Sequence, residues 1–165
     1  MVLPAIGSAG LSLDDVAARL SATLAADLSD LRVQEPDTVV AVVERAVLHD
    51  VALRLRALEG LAYESCNFVA AVDLGDRFEA VYHLYSFAAN SYLELHVAVP
   101  RAKPVVDTVS DVWPAADWHE REAFDMMGIR FEGHPDPRRI LLPDDWVGHP
   151  LRKDYVDSIE NHPNV

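Results

Sequence analysis

Ionisable side chains crowd one stretch of this chain, "WHEREAFDMMGIRFEGHPDPRRILLPDDW", running from Trp118 to Trp146. His119, Glu120, Arg121, Glu122 and Asp125 lie close together, and His134, Arg138 and Arg139 follow through a Gly- and Pro-rich turn. Imidazoles, carboxylates and guanidiniums at this density can exchange protons, hold a metal, or pair with one another to join segments. Zinc-hydrolase chemistry needs H-E-x-x-H, two imidazoles one helical turn apart. His119-Glu120 begins that motif, but position 123 is Ala123. An acid–base dyad needs two carboxylates on one face, whereas Glu120 and Glu122 diverge at about 100° per residue of helix. There is no G-x-x-x-x-G-K-[ST], no G-x-G-x-x-G, and no serine or cysteine in a recognisable nucleophile setting. Pairing is what remains. Arg138-Arg139 and Arg152-Lys153 are the adjacent basic pairs, and Glu120, Glu122 and Asp125 can receive them. They would do so either inside the chain or across an interface.

A helix must carry the acids. Asp117 is placed to cap it, Glu120 completes a capping-box pattern, and Gly128 is placed to end it. Ala116, Glu120, Ala123 and Met127 then share an apolar face, and Arg121 sits one turn from both Asp117 and Asp125. Upstream, Ser12 with Asp15 opens a helix with Val16, Leu20 and Leu24 on one side, and Leu13 leading in. "TVVAVV" after Pro36 reads as a buried strand. "RAVLHDVALRLRALEG" reads as a helix, with Val47, Val51, Leu55 and Leu58 in phase and Gly60 as its C-terminal cap. "NFVAAVDL" and "RFEAVYHLYSF" flank Gly75-Asp76 as a hairpin, and "YLELHVAV" alternates with Leu93, Leu95, Val97 and Val99 to one side. The fold class is α+β: helices on a mixed sheet ending in an antiparallel meander, with an extended Pro-rich C-terminal arm. Residues 1–105 form the α+β domain, and residues 106–165 form the helix and arm of the same unit.

Six of the ten prolines and all three tryptophans (Trp113, Trp118 and Trp146) lie beyond residue 112. Backbone groups in such a segment need partners outside it. A chain of 165 residues with 50% hydrophobic content can bury one core. Its net charge of −13 argues against nucleic acid and against anionic lipid. Cys66, the one cysteine, cannot make an internal disulfide or hold an iron–sulfur cluster, which needs about four thiolates. Its place in a strand predicts a buried thiol. Val39–Val43 and Phe68–Val72 fall far short of the ~20 apolar residues that span a bilayer. No basic n-region or Arg-rich presequence opens the chain, so membrane contact is expected only through a partner.

The segments Glu120-Arg121-Glu122, Asp125, Gly128-Ile129 with Phe131, Gly133-His134-Pro135, Arg138-Arg139-Ile140-Leu141 and Pro150 through Tyr155 come in one order. That order closely resembles the signature of the C subunit of the proton-pumping NADH–quinone oxidoreductase, respiratory complex I. The resemblance covers roughly residues 60 to 156, including "VDL…FEAVYHLYSF" and "LHVAVPRAKPVVDTVSDVWPAADW". It implies a peripheral-arm subunit without flavin, cluster or quinone of its own. NAD, FMN, iron–sulfur clusters and quinone belong to the rest of the complex, on the cytoplasmic side of a bacterial inner membrane. The D subunit, whose surface helps form the quinone site, is the implied partner. Trp118, Glu120, Arg121, Glu122, Asp125, His134, Arg138, Arg139, Trp146, Arg152 and Lys153 are then interface or structural residues, none catalytic. Relatives often carry an aromatic residue where Met127 stands. The equivalent subunit of a ferredoxin-, F420H2- or hydrogenase-linked relative would look the same. A stand-alone metal-dependent hydrolase built on the histidines is the reading from another class.

Overall fold

A computed structural model describes residues 11–157. Helix α1 (Leu13–Leu24) begins as its sequence predicts. Ser12 Oγ accepts from the Asp15 N–H at 3.1 Å, and the Asp15 carboxylate accepts from the Ser12 N–H at 3.2 Å. Two of the helix's orphan donors are thereby satisfied. Val16, Ala17, Leu20 and Leu24 are buried. Strand β1 (Leu28–Gln34) follows and pairs antiparallel with β2 (Thr38–Val43), the "TVVAVV" run. Sequence reading missed β1, and the reason is physical. It is an edge strand, half wet and charged, with a bulge between Ser29 and Arg32 where Asp30 takes a positive φ. Alternation survives only over the four residues from Leu31 to Gln34, too short a run to announce a strand.

A 3-10 turn at Arg45–Val47 leads into α2 (Leu48–Arg56). This helix is shorter than its periodicity implies. Ala57 ends it by donating to the carbonyls of Leu53 and Leu55, Val47 stands at its N-cap, and Gly60 lies beyond it in a separate turn with φ +70°. Strands β3 (Ser65–Asp73), β4 (Arg77–Ser86) and β5 (Ser91–Pro100) make the expected meander. Because β2 pairs parallel with β5, the sheet order is β1-β2-β5-β4-β3. Leu93, Leu95, Val97 and Val99 are all fully buried, with Val39, Ala41, Val43, Phe78, Ala80, Tyr82 and Leu84 beside them. Among the described residues, the helices pack on that one face. Cys66 is buried there, and burial pushes its thiol up to about 12, so it is neutral at physiological pH.

The last third holds a small βαβ unit that the sequence pattern did not announce. Strand β6 (Val105–Asp107) runs parallel to β7 (Arg130–Glu132), with α3 (Ala116–Met127) between them. Three-residue strands carry too little pattern to be read. Trp113, fully buried before α3, donates its indole N–H to the Tyr63 carbonyl at 2.8 Å. Residues of this unit, among them Val106, Val109, Trp113, Ala123 and Ile129, join the same core as the sheet. From 133 to 157 the chain has neither helix nor strand. Among the described residues no helix is long and apolar enough to cross a membrane.

Candidate functional site

Helix α3 organises the site, and two of its acids are completely buried. The face predicted from periodicity is observed: Ala116, Glu120, Ala123 and Met127 are all buried. Asp117 is not the N-cap. Ala115 holds that position without a side-chain bond, and Asp117 lies in the first turn, where the helix dipole favours a carboxylate. Gly128 does end the helix, with φ +71° and its N–H on the Phe124 carbonyl.

Asp125 is the second buried acid, and it is caged. Its Oδ2 accepts from the backbone N–H groups of Ile140, Leu141 and Leu142 at 3.1, 2.8 and 2.9 Å. Its Oδ1 accepts from Arg139 Nη1 at 2.6 Å. Burial works against the charge, but the bonds from Leu142, Arg139, Leu141 and Ile140 outweigh it and hold the carboxyl below its ordinary range. Arg139 also donates to the carbonyls of Asp125, Trp146 and Gly148, so one guanidinium gathers two points of the tail onto the helix.

The tail in turn finishes the helix. A helix leaves about four C-terminal carbonyls without partners. Here His149 Nδ1 donates to the Asp125 carbonyl at 2.9 Å, and the Leu151 N–H donates to Met126 at 3.1 Å. Arg152 donates to Met127 at 2.6 Å and to Gly128 at 3.4 Å. Placing two guanidiniums at the negative end of the helix dipole adds to the fit. Burial holds the His149 ring below its usual range, which favours the neutral ring.

Glu120 does something else. Its carboxylate turns away from the helix start, accepting from Thr108 Oγ1 at 2.5 Å and from the Val109 N–H at 2.8 Å. The capping box read from sequence is therefore absent, because a tertiary partner with two donors displaces the local one. Burial pushes Glu120 up to about 7, against those two hydrogen bonds. His134, buried beside it, accepts the Asp136 N–H on Nδ1 at 3.0 Å and donates from Nε2 to the Asp117 carbonyl at 3.2 Å. The imidazole thus fastens the "GHPD" turn to the start of α3.

The predicted ionic residues are only partly brought together. Arg139 and Arg152 reach α3 as described. Arg138 instead pairs locally with Asp136 at 2.6 and 2.8 Å on the surface. Arg121 forms neither expected pair along the helix: it donates to the carbonyls of Arg138 and Arg139 and stands 3.4 Å from Asp136. Glu122 is exposed and receives none of these arginines. Lys153 contributes its backbone N–H, to Asp73 at 2.8 Å. Of the tryptophans, Trp113 is a core anchor, while Trp118 is 63% exposed under the Arg121 guanidinium and Trp146 is half-buried.

Sequence reasoning missed Asp73, Arg101 and Thr108. Arg101 bridges Asp73 at 2.7 Å and Asp154 at 2.6 Å, and both Arg101 and Arg152 lie over the Phe78 ring, at 4.7 and 4.9 Å. Arg101 above all, then the Lys153 N–H, draws Asp73 down to about 2. Asp73 beside the Gly75 turn was visible, but its partners from beyond residue 100 were not. Among the described residues no group of three His, Cys, Asp or Glu side chains is arranged to hold a metal.

The raised Glu120 gives a pH prediction. Its folded pKa, about 7, lies above the ordinary value of 4.5, so the folded state binds the extra proton between those values. Stability from this group is full below about 4.5 and declines as pH rises towards 7. The loss is on the order of 3 kcal/mol. Glu120→Gln should therefore flatten the stability–pH profile between about pH 5 and 8 relative to wild type. Parallel profiles in urea titrations would show that Glu120 is not the group responsible.

The family model for the respiratory-chain NADH dehydrogenase 30 Kd subunit matches residues 41–160, a span that includes the whole of α3, the Asp125 cage and the tail that caps the helix. The C subunit of the NADH-quinone oxidoreductase of Geobacter sulfurreducens is 47% identical over 141 residues, covering 83% of this chain and 85% of that protein. The protein of the same name from Geobacter metallireducens is 57% identical over 99 residues, covering 58% of this chain and 61% of its own length. Among solved structures, a trypsin-resistant fragment of Nqo5 superposes with TM-score 0.63 at 25% identity, covering 76% of this chain and 99% of the fragment. A chain of the archaeal membrane-bound sulfane sulfur reductase gives 0.78 over 88% of this chain and 86% of its own; at 22% identity that shows a shared fold.

Proposed function

This chain belongs to the family of the 30 kDa subunit of respiratory-chain NADH dehydrogenase, and from that premise we propose that it is the non-catalytic C subunit of a complex I-type NADH:quinone oxidoreductase. The complex transfers electrons from NADH to quinone and couples this to proton translocation. NAD, FMN, iron–sulfur clusters and quinone sit on neighbouring subunits. This chain holds the peripheral arm together by packing on the D subunit, and it meets the inner membrane, on its cytoplasmic side, through the complex. NADH as donor rests on the names of the relatives; ferredoxin, F420H2 or hydrogen would place the same chain in a sister complex.

One observation carries the docking role. The cage around Asp125 and the capped end of α3 fix the tail, and the fixed tail turns Leu141 and Leu151 outward, 61% and 57% exposed, with Val147 between them in sequence at 56%. Apolar side chains held rigidly in water favour a partner, because little conformational freedom is left to lose on binding. Burying what remains exposed of the two leucines is worth about 2–4 kcal/mol at a well-packed interface.

Leu141→Asp with Leu151→Asp should accordingly leave the isolated chain folded, since neither side chain is in the core. Assembled complex recovered from membranes should fall by at least about tenfold. The complexes that do form should oxidise NADH at the normal rate. Full assembly of the double variant would remove the tail from the docking role. An assembly lacking flavin would move the chain to a ferredoxin- or hydrogen-fed relative.

A further inference from the structure

The sheet carries its helices on one face, and its other face is aromatic and acidic. Val40 and Val81 point that way and are buried there, although among the described residues no helix covers them. Beside them runs a ladder of rings across three strands. Phe68 of β3 stacks on His83 of β4 with centroids 4.7 Å apart and planes within 9°. His83 meets Tyr92 of β5 at 4.8 Å, Tyr92 meets Tyr85 at 4.8 Å, and Tyr85 meets the edge of Phe87 at 5.0 Å. The two ends of the ladder are open to solvent: Phe68 is 38% exposed and Phe87 68%.

Charge on this face is one-sided at its centre. Glu79 and Glu94 flank His96 at 2.8 and 3.5 Å, and the Glu64 carboxylate stands at the rim, accepting the Phe87 N–H at 3.2 Å. The face's arginines lie at its margins and are already engaged, Arg32 with Asp30 and Arg77 with Asp76. This is a separate surface from the tail, whose anchors Asp125 and Phe78 lie on the helix side of the sheet.

We infer that this aromatic face is a second docking surface, and that it receives an apolar segment carrying arginine or lysine from a neighbouring subunit. The inference rests on the assembly role proposed above. Rings preorganised by stacking lose little freedom on binding, and aromatics are enriched among residues that dominate interfaces. Carboxylates beside exposed ring faces complement a cation, which gains both an ion pair and a cation–π contact. The same charges repel an acidic segment or an anionic lipid surface. With the tail on one side and this face on the other, the chain bridges two contacts in the arm instead of hanging from one.

The test places a photo-crosslinking phenylalanine analogue at position 87 of the full chain in its native host, followed by affinity purification of the complex. The inference expects one dominant adduct, to a peptide of another subunit rich in aliphatic residues and containing Arg or Lys. An adduct to lipid, to a second copy of this chain or to an acidic peptide would overturn it. So would the absence of any adduct in a complex that contains the chain. A chain that does not co-purify with a complex at all would overturn both this inference and the assembly role beneath it. In parallel, Phe68→Glu with Phe87→Glu should lower retention of the folded chain on the complex by at least about tenfold. Unchanged retention would count against the face. Circular dichroism of the variant chain separates lost docking from lost folding.

Discussion

Asp125→Ala is expected to strip protection from the amides of Ile140, Leu141 and Leu142, speeding their hydrogen exchange by about a thousandfold. The magnitude follows from what the carboxylate does. It is fully buried, accepts three backbone N–H groups and neutralises Arg139. Removing one member of such a pair leaves a partly buried cation and three donors without an acceptor, about 4 kcal/mol in total. Because Arg139 also gathers the Trp146 and Gly148 carbonyls, the loss should spread along the tail to the Leu151 amide. Arg139→Gln should weaken the same amides by less, since the three N–H bonds to Asp125 remain. The two substitutions combined should cost less than their sum. The cage should also open with acid. The folded pKa of Asp125 is depressed, so its contribution is complete above the unfolded value of about 3.9 and disappears as pH falls through the lower folded value. Wild-type protection of these amides in the alanine variant would mean that the tail is held by something other than Asp125.

The second large effect is expected at Gly128. Its φ of +71° already disfavours a side chain, by roughly 1–2 kcal/mol. Strain is the smaller part. A Cβ built there would overlap the Arg152 guanidinium and the His149 ring. Neither can swing aside freely, because Arg152 is bound to the Met127 carbonyl and His149 to that of Asp125. Gly128→Ala should therefore expel residues 149–152 from the helix end at about 3 kcal/mol or more, read as lost protection at Leu151. Two comparisons isolate the cause. Gly75→Ala has a similar positive φ but meets nothing within 4 Å, so it should show the strain alone. Gly128→Asn relaxes the backbone penalty yet keeps the overlap, so it should be nearly as damaging as alanine. If Gly128→Ala costs no more than Gly75→Ala, the close approach of the tail is not what position 128 protects.

At both sites local pattern gives the helix but not the tail that closes on it. The face of α3 through Ala116, Glu120, Ala123 and Met127 was legible because it depends only on helical repeat, and Gly128 was legible because a left-handed residue ends helices. The capping box at Ser12 and the alternation in β5 are equally local. Asp125 was recognised as a receiver for an arginine, but its burial was not foreseeable. The segment that covers it turns back from 14 or more residues away. Glu120 shows the opposite failure: its spacing from Asp117 signalled a local cap, and two donors from the segment just after β6 took the carboxylate instead. Arg138 and Arg139 are adjacent in sequence, yet one is spent on a surface pair and the other on a buried acid.

By itself, then, the sequence determined the helices and the strands β2 to β5 in their order, the core-facing sides of α1, α3 and β5, and a family signature through Tyr155. Those depend on periodicities of the backbone and on residue types in order, both of which are written locally. Only the tertiary structure decided which charges meet, which acid burial pushes towards its neutral form and which an arginine keeps charged, and that among the described residues no helix lies on one face of the sheet. Such pairings are set by where distant segments cross. A side chain's partner and its exposure to water depend on that crossing, whatever its neighbours in the chain.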